Sequence, residues 1–233
     1  MFSSLLRRSA FGFPPLPPAA NKPIICYVTD RKAISSGDAA SSVGERIRMA
    51  AEAGVDWVQI REKDLGAKEL LALAKQAVAC GTAKVIVNDR LDVALAAGAA
   101  GVHLGREAAP VTEVVQWCRG GNAPTDFLIG VSCHSLQEAR ETEAKGASYV
   151  FFGPVFETPS KRAFGPPQGI ARLAEVCGQV RIPVIAIGGL DDRNAAECIR
   201  AGAAGIAAIR LFQENVELED LRNRVKRLHG VGQ

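Results

Sequence analysis

Short apolar runs alternate along this chain with longer segments of helical periodicity. The runs at residues 25–30, 84–89, 127–132 and 182–189 are rich in Val and Ile and do not alternate with polar residues, as is typical of strands covered on both faces. Between such runs, apolar residues recur three and four positions apart, as in residues 70–77. The pattern predicts eight strands, each followed by a helix. These strands are expected to end near Asp30, Glu62, Asn88, Leu104, Ser132, Phe152, Ile187 and Ile209.

A glycine recurs at the junction between a helical segment and the next apolar run. It occurs at Gly54, Gly98, Gly146 and Gly202, at spacings of 44, 48 and 56 residues. A period of this length corresponds to about one strand–helix–strand–helix unit. At each junction we expect the glycine to end the helix in a left-handed conformation, which lets the chain turn into the next strand.

The count of alternating elements predicts the fold. Eight strands and eight helices in residues 24–233 fit a single (β/α)8 TIM barrel, and we expect this segment to be the catalytic domain. The alternative is an open, doubly wound sheet, which usually carries a glycine fingerprint after its first strand. No such fingerprint follows residues 25–30, so the barrel is favoured. Its active site is expected at the carboxyl ends of the strands.

Residues 1–23 differ in composition from the rest. They contain five prolines, two arginines and one lysine, and no acidic residue. Proline removes a backbone donor and restricts φ, so neither a helix nor an inner strand is expected here. We predict a disordered, proline-rich extension. An organellar transit peptide or a misassigned start are alternatives that the composition leaves open.

Composition limits the partners of the chain. The formal net charge is +3 and the charges are dispersed, which argues against nucleic acid as a partner. No apolar run approaches the roughly 20 residues that span a bilayer, so no membrane partner is expected. The six cysteines show no C-x-x-C spacing and are interpreted as free thiols in a reducing, cytoplasmic location. Whether the chain forms a homo-oligomer stays open.

Candidate phosphate ligands follow the second and third strands. Gln59, Arg61 and Lys63 alternate, so they share one face of an extended chain, and two cations with an amide suit a phosphate or diphosphate. Asn88 and Asp89 end the third predicted strand. Asp89 suits Mg²⁺ and Asn88 a phosphate oxygen, but the pair is equally consistent with an Asx cap on the next helix.

Further candidates lie in the second half of the chain. Gly188 and Gly189 end the seventh strand, where backbone N–H groups often bind phosphate in barrels, and Arg210 follows the eighth strand with a cation. The 17-residue loop at 153–169 is the longest expected. Its hydroxyls and lysine also suit phosphate. These loop residues are Thr158, Ser160 and Lys161.

Two histidines have open roles. His103 alternates with apolar neighbours, so it is expected either to be a structural imidazole inside the barrel or to act in catalysis. His134 follows the fifth strand, close to Ser132. It either transfers a proton near neutral pH or caps the next helix beside Ser135.

Seven motifs, taken together, resemble the thiamine-phosphate synthase family over about residues 24 to 228. They are Q-x-R-E-K at 59–63, V-N-D-R at 87–90, G-V-H-L-G at 101–105, G-V-S-x-H-S at 130–135, F-G-P-V-F-x-T-x-S-K at 152–161, P-Q-G at 167–169 and A-I-G-G at 186–189. The resemblance implies a transferase of thiamine biosynthesis that joins hydroxymethylpyrimidine diphosphate to hydroxyethylthiazole phosphate. It further implies that diphosphate leaves first, with Mg²⁺ as cofactor, and that the thiazole nitrogen captures the resulting pyrimidinyl cation.

The resemblance also implies roles for individual residues. Asp89 would bind Mg²⁺. The pyrimidine diphosphate would be held by Gln59, Arg61, Lys63, Asn88, Ser132 and Lys161. The thiazole phosphate would be held by Thr158, Ser160, Gly188, Gly189, Ile209 and Arg210. The catalytic set would be Arg61, Lys63, Ser132, Lys161 and His134.

Three departures from the family pattern keep alternatives open. The second Mg²⁺ aspartate is replaced by Ala108, so that ligand is missing unless Glu107 substitutes for it. In addition, a loop threonine is Ser160, and the serine after the last strand is Arg210. The related thiazole tautomerase, in which His134 would move a proton on the thiazole ring, is one alternative. A non-catalytic regulator that binds thiamine or thiazole phosphates is another. The synthase is favoured because the Asn88–Asp89 pair and Lys63 are retained.

Overall fold

A computed structural model describes residues 22–34, 42–158, 166–213 and 217–231. It contains eight parallel strands, each hydrogen-bonded to the next in sequence order, and β8 pairs with β1 to close the cylinder. The strands are β1 (Ile24–Val28), β2 (Trp57–Ile60), β3 (Lys84–Asn88), β4 (Gly101–Leu104), β5 (Leu128–Cys133), β6 (Tyr149–Phe152), β7 (Val184–Ile187) and β8 (Gly205–Ala208). The predicted (β/α)8 barrel is therefore confirmed, and every strand ends within two residues of its predicted end.

Helices follow every strand and form the outer layer. They are α1 (Val43–Ala53), α2 (Ala67–Ala79), α3 (Leu91–Ala97), α4 (Val111–Trp117), α5 (Leu136–Ala144), α6 (Gly169–Gln179), α7 (Ala195–Arg200), α8 (Arg210–Gln213) and α9 (Leu218–His229). The described ranges thus contain nine α-helices where eight were predicted, because β8 is followed by both α8 and α9. The predicted extension at 1–23 lies outside the described residues as far as residue 21.

The four repeated glycines end helices as predicted. Gly54 and Gly98 are the left-handed C-caps of α1 and α3, with φ of 93° and 67°. Gly146 and Gly202 follow α5 and α7 with φ of 89° and 99°. A residue with a Cβ is strained in this region, and glycine is not. Each glycine therefore allows the reversal that leads from the outer layer back into the barrel.

Two apolar clusters fill the protein. One lies between the strands and the surrounding helices, and the other fills the barrel interior. The interior cluster consists of Cys26, Val28, Trp57, Ile86, Leu128, Tyr149, Phe151, Ile185 and Ala207. Because bulky side chains pack the interior, the barrel is a solid core and its polar groups collect at one end.

Membrane-spanning helices and disulfides were both addressed from the composition. No helix in the described ranges is both long and apolar enough to cross a bilayer. All six cysteines fall within these ranges and are free thiols, in agreement with the sequence.

Candidate active site

A cavity of about 480 Å³ opens at the carboxyl ends of the strands. All eight strands contribute to its wall, through Val28, Gln59, Asn88, His103, Ser132, Phe151, Ile187 and Ala207. Loop residues that follow the strands complete it. Among the candidate residues from the sequence, these are Arg61, Lys63, His134, Thr158, Gly188, Gly189, Ile209 and Arg210. Barrel closure thus brings together residues that are up to 182 positions apart in the chain, from Val28 to Arg210.

Three candidates are not in this wall. Asp89 lies beside it, in contact with its neighbours Asn88 and Gly105. Ser160 and Lys161 lie outside the described residues.

The cations after β2 are not neutralised by the acid between them. Glu62 is buried and turned away, and its carboxylate accepts the Arg31 N–H at 3.1 and 3.2 Å and the Arg31 Nη1 at 3.1 Å. Arg31 also forms a bidentate ion pair with Asp64, which lowers the pKa of that carboxyl well below its usual range. Both neighbouring acids are therefore engaged by Arg31, and Arg61 and Lys63 face the cavity.

Hydrogen bonds link Asp89 to Gln59. Asp89 has a φ of 60°, and its two carboxylate oxygens accept the Gly105 N–H at 2.6 Å and the Asn88 Nδ2 at 2.7 Å. The Asn88 Oδ1 then accepts from the Gln59 Nε2 at 3.0 Å. A carboxylate only accepts, so the Asn88 amide must turn its Nδ2 to Asp89 and its Oδ1 to Gln59. The Gln59 amide must then turn its Nε2 to Asn88, which leaves its Oε1 as an acceptor. This buried Oε1 has no partner among the described residues.

The Asn88–Asp89 pair does not cap the following helix. The N-cap of α3 is Arg90, which makes no side-chain capping bond. The Asx-cap alternative is therefore wrong, because both side chains are turned across the strand ends towards β2 and β4.

Gly188 and Gly189 allow the loop after β6 to approach β7. Both have positive φ, 98° and 68°, and a Cβ at Gly188 would lie 2.6 Å from Pro154. A Cβ at Gly189 would lie 2.5 Å from the Glu157 carbonyl oxygen. Asn194 holds this turn, because its Nδ2 donates to the Gly189 carbonyl oxygen at 2.9 Å. The helix α7 begins at Ala195, directly after this turn.

His134 lies at the cavity wall and does not cap α5. Ser135 is the cap, and its hydroxyl accepts the Glu138 N–H at 3.1 Å. The His134 Nδ1 contacts the Gly153 carbonyl oxygen. Because a carbonyl oxygen only accepts, the His134 Nδ1 carries the proton in this contact.

His103 is inside the barrel and bonds to two neighbouring strands. It is 1% exposed, with its Nε2 2.9 Å from the Ser132 Oγ and its Nδ1 3.2 Å from the Tyr149 hydroxyl. Burial, reinforced by the charge of Arg61, lowers the pKa of His103 to about 3. Sequence reasoning did not select Tyr149. The pattern that could have identified it is that Tyr149 and Phe151 are two positions apart, which puts both rings on the interior face of β6.

Comparisons with known proteins agree with this architecture. Residues 25–212 match the family described as thiamine monophosphate synthase. The chain belongs to this family. The resemblance stated from the motifs is therefore confirmed.

Similar proteins cover most of the chain. The thiamine-phosphate synthase of Chlorobium phaeobacteroides is 37% identical over 210 residues, which cover 89% of this chain and 96% of that protein. The thiamine-phosphate synthase of Methanoculleus marisnigri is 44% identical over 165 residues, 70% of this chain and 76% of that protein. The solved structure of thiamine phosphate pyrophosphorylase from Pyrococcus furiosus has a TM-score of 0.74 at 34% identity, covering 89% of this chain and 98% of that chain.

Proposed function

We propose that this protein is a thiamine-phosphate synthase, which joins hydroxymethylpyrimidine diphosphate to hydroxyethylthiazole phosphate and releases diphosphate. The observation that carries the proposal is one cavity with two separate features suited to phosphate. One is the cationic face after β2, with Arg61 and Lys63, and the other is the Gly188–Gly189 turn after β7. In the closed barrel β1 and β8 lie between them, so two phosphorylated substrates have separate places in one cavity.

The cationic face is assigned to the diphosphate. Negative charge grows on the diphosphate as its bond to the pyrimidine methylene carbon breaks, and preorganised cations stabilise that charge most when water is excluded. Arg61 is suited to this role because its own backbone N–H donates to the buried Thr29 hydroxyl at 2.9 Å, which anchors the loop that carries it. Lys161, outside the described residues, is a further proposed ligand.

Gln59 is assigned to the pyrimidine ring. Its Oε1 is fixed as an acceptor by the bonds that run from Asp89 through Asn88. The exocyclic amine of an aminopyrimidine is the matching donor. The rest of the reaction needs orientation more than proton transfer, since the thiazole nitrogen is already a nucleophile.

The second phosphate is assigned to the β7 and β8 ends. Gly188, Gly189, Thr158 and Arg210 line this part of the cavity. Their backbone N–H groups, hydroxyl and guanidinium would be the donors to the phosphate. Ile209 directly follows β8 in this wall and would contact the thiazole ring. Ser160, outside the described residues, is proposed as a further hydroxyl donor.

Asp89 is the proposed Mg²⁺ ligand. The described residues contain no cluster of three or more acidic, histidine or cysteine side chains that could hold a metal. Each Asp89 oxygen accepts one hydrogen bond, and a carboxylate has about four lone-pair positions, so acceptor capacity remains. One carboxylate fits Mg²⁺ because this ion is commonly held by one or two carboxylates with substrate phosphates. When bound, Mg²⁺ supplies positive charge to the leaving diphosphate.

We propose that no side chain of this chain replaces the second carboxylate of the family pattern. Ala108 packs against the apolar core, and Glu107 is exposed to solvent. We therefore expect the metal to be held by Asp89 together with the diphosphate.

The test is a coupled assay with both substrates, with and without Mg²⁺. We expect thiamine phosphate and diphosphate to form only with the metal. For Asp89→Asn, the Mg²⁺ concentration at half-maximal rate should rise by more than about tenfold, because a neutral amide replaces the one carboxylate. Asp92→Asn is the matched control: Asp92 is exposed and pairs with Arg90, so its Mg²⁺ requirement should match the wild type.

Other outcomes of this assay identify other functions. Formation of no thiamine phosphate would overturn the proposal. Isomerisation of a thiazole carboxylate phosphate by the protein alone, lost in His134→Ala, would instead identify a tautomerase. Affinity for thiazole phosphate without either reaction would identify a binding protein.

A further inference from the structure

The Tyr149 hydroxyl has one hydrogen-bond partner among the described residues. This partner is the His103 Nδ1, at 3.2 Å. Tyr149 is fully buried, so its hydrogen needs an acceptor within the protein. If Nδ1 carried a proton, the phenol hydrogen would have no acceptor, and a buried donor without an acceptor is unfavourable. Tyr149 therefore donates to Nδ1, and Nδ1 is unprotonated.

The His103 ring has one remaining proton position. The ring is buried beside Tyr149 and Phe151, whose ring centroids are 5.6 and 4.3 Å away. Such surroundings favour the neutral imidazole, which carries a single proton. With Nδ1 accepting from Tyr149, that proton is on Nε2, and Nε2–H donates to the Ser132 Oγ at 2.9 Å.

Ser132 lines the cavity, and the tautomer of His103 decides what it offers there. When the Ser132 Oγ accepts from His103, its own hydrogen is left for a ligand. In the opposite tautomer the hydroxyl would donate to His103 and present only lone pairs to the cavity. Lone pairs repel an oxyanion, whereas an O–H stabilises it.

We propose that Tyr149 and His103 are positioning residues that preset the Ser132 hydroxyl as a hydrogen-bond donor to the cavity. The ligand atom at Ser132 is then an acceptor, such as a phosphate oxygen. The identity of that acceptor as the substrate diphosphate rests on the proposed function, but the direction of the hydrogen bonds does not.

Three adjacent strands build this relay. His103 on β4 pairs with Gly130 on β5, and Gly130 pairs with Tyr149 on β6. A Cβ at Gly130 would lie 2.1 Å from the Tyr149 Cζ and 2.4 Å from its hydroxyl oxygen. The absence of a side chain at Gly130 is therefore what lets the phenol pass across β5 to reach His103.

The tautomer is measured directly by nitrogen NMR of the ¹⁵N-histidine-labelled full chain. The chain has three histidines, so the His103 resonances are assigned by their loss in His103→Gln. In the wild type we expect an unprotonated Nδ1 and a protonated Nε2. In Tyr149→Phe, the shifts should move towards a mixture of tautomers. A protonated Nδ1 in the wild type would overturn the proposal, whatever the activity of the protein.

A double-mutant cycle tests the coupling to Ser132. In the coupled assay, Tyr149→Phe should lower kcat/KM about tenfold, the equivalent of one hydrogen bond. In a Ser132→Ala background, the same change should alter kcat/KM by less than about twofold, since the group it acts through is gone. Additive losses would mean that Tyr149 has only a structural role.

Tyr27→Phe is the matched control. It removes a second buried phenol oxygen, which accepts from the Gln213 Nε2 at 2.9 Å and does not line the cavity. We expect kcat/KM to stay within about twofold of the wild type, because the loss of one buried hydrogen bond affects stability only. If Tyr27→Phe lowers kcat/KM as much as Tyr149→Phe, the effect at Tyr149 is not specific to the relay. An inactive wild type would contradict the proposed function, and the NMR result would still decide the direction of the relay.

Discussion

Replacing Arg61 with glutamine is expected to lower kcat/KM for thiamine phosphate formation by about 10²–10³-fold, the range observed when one preorganised charge-stabilising donor is removed. Arg61 faces the cavity, and the neighbouring acids Glu62 and Asp64 are engaged by Arg31. Its charge is therefore available to the leaving diphosphate. Steady-state kinetics with each substrate varied in turn provide the measurement. The larger part of the loss should be in kcat, since the charge develops in the transition state.

Arg90→Gln is the matched control for this experiment. Arg90 follows Asp89 directly, but its guanidinium forms a bidentate ion pair with Asp92 and does not line the cavity. The same change of side chain should therefore alter kcat/KM by less than about threefold, as expected for an exposed ion pair. Equal losses in the two variants would contradict the assignment of Arg61 to the diphosphate.

Gly130→Ala is expected to destabilise the fold by about 3 kcal/mol or more, the upper range for overpacking a core. The added methyl group would overlap the Tyr149 ring, with its Cβ 2.1 Å from Cζ, inside a closed barrel whose strands have no free edge to shift. Urea unfolding measures the effect. With an m-value of roughly 1–3 kcal/mol/M, the midpoint should fall by at least about 1 M.

Two further variants show whether this loss is steric. Gly178→Ala makes the same change in α6, where a Cβ would meet nothing within 4 Å, and should be neutral or stabilising by up to about 1 kcal/mol. Adding Tyr149→Leu to Gly130→Ala makes room for the methyl group and should recover part of the lost stability. A Gly130→Ala midpoint equal to that of the wild type would show that the ring can move at little cost.

The strand pattern was predictable because each barrel strand is covered on both faces. Short, continuous Val- and Ile-rich runs such as residues 84–89 are typical of such strands, and β3 ends at the predicted Asn88. The start of α7 was less predictable. The segment after Gly189 is instead held by the Asp191 carboxylate and the Asn194 side chain, which bond to nearby backbone groups in place of a helical turn.

The gathering of the site residues also followed from the sequence. Closure of a parallel barrel brings the carboxyl ends of all strands to one opening, so side chains that follow apolar runs become neighbours. This reasoning selected Gln59, Arg61 and Ser132, all of which line the cavity. It could not decide whether Asp89 caps the next helix or acts at the strand ends, because both roles are expected of an Asn-Asp pair between a strand and a helix.

The sequence by itself determined the fold, the position of the strands and the set of polar side chains at their carboxyl ends, because these depend on periodicity and strand order. Only the tertiary structure decided how those side chains are paired. The engagement of Glu62 by Arg31, the bonds from Asp89 to Gln59 and the contact of Tyr149 with His103 all cross between strands or loops. Their partners depend on the strand register and on the direction of each side chain within the closed barrel. Neither can be predicted from a local sequence pattern.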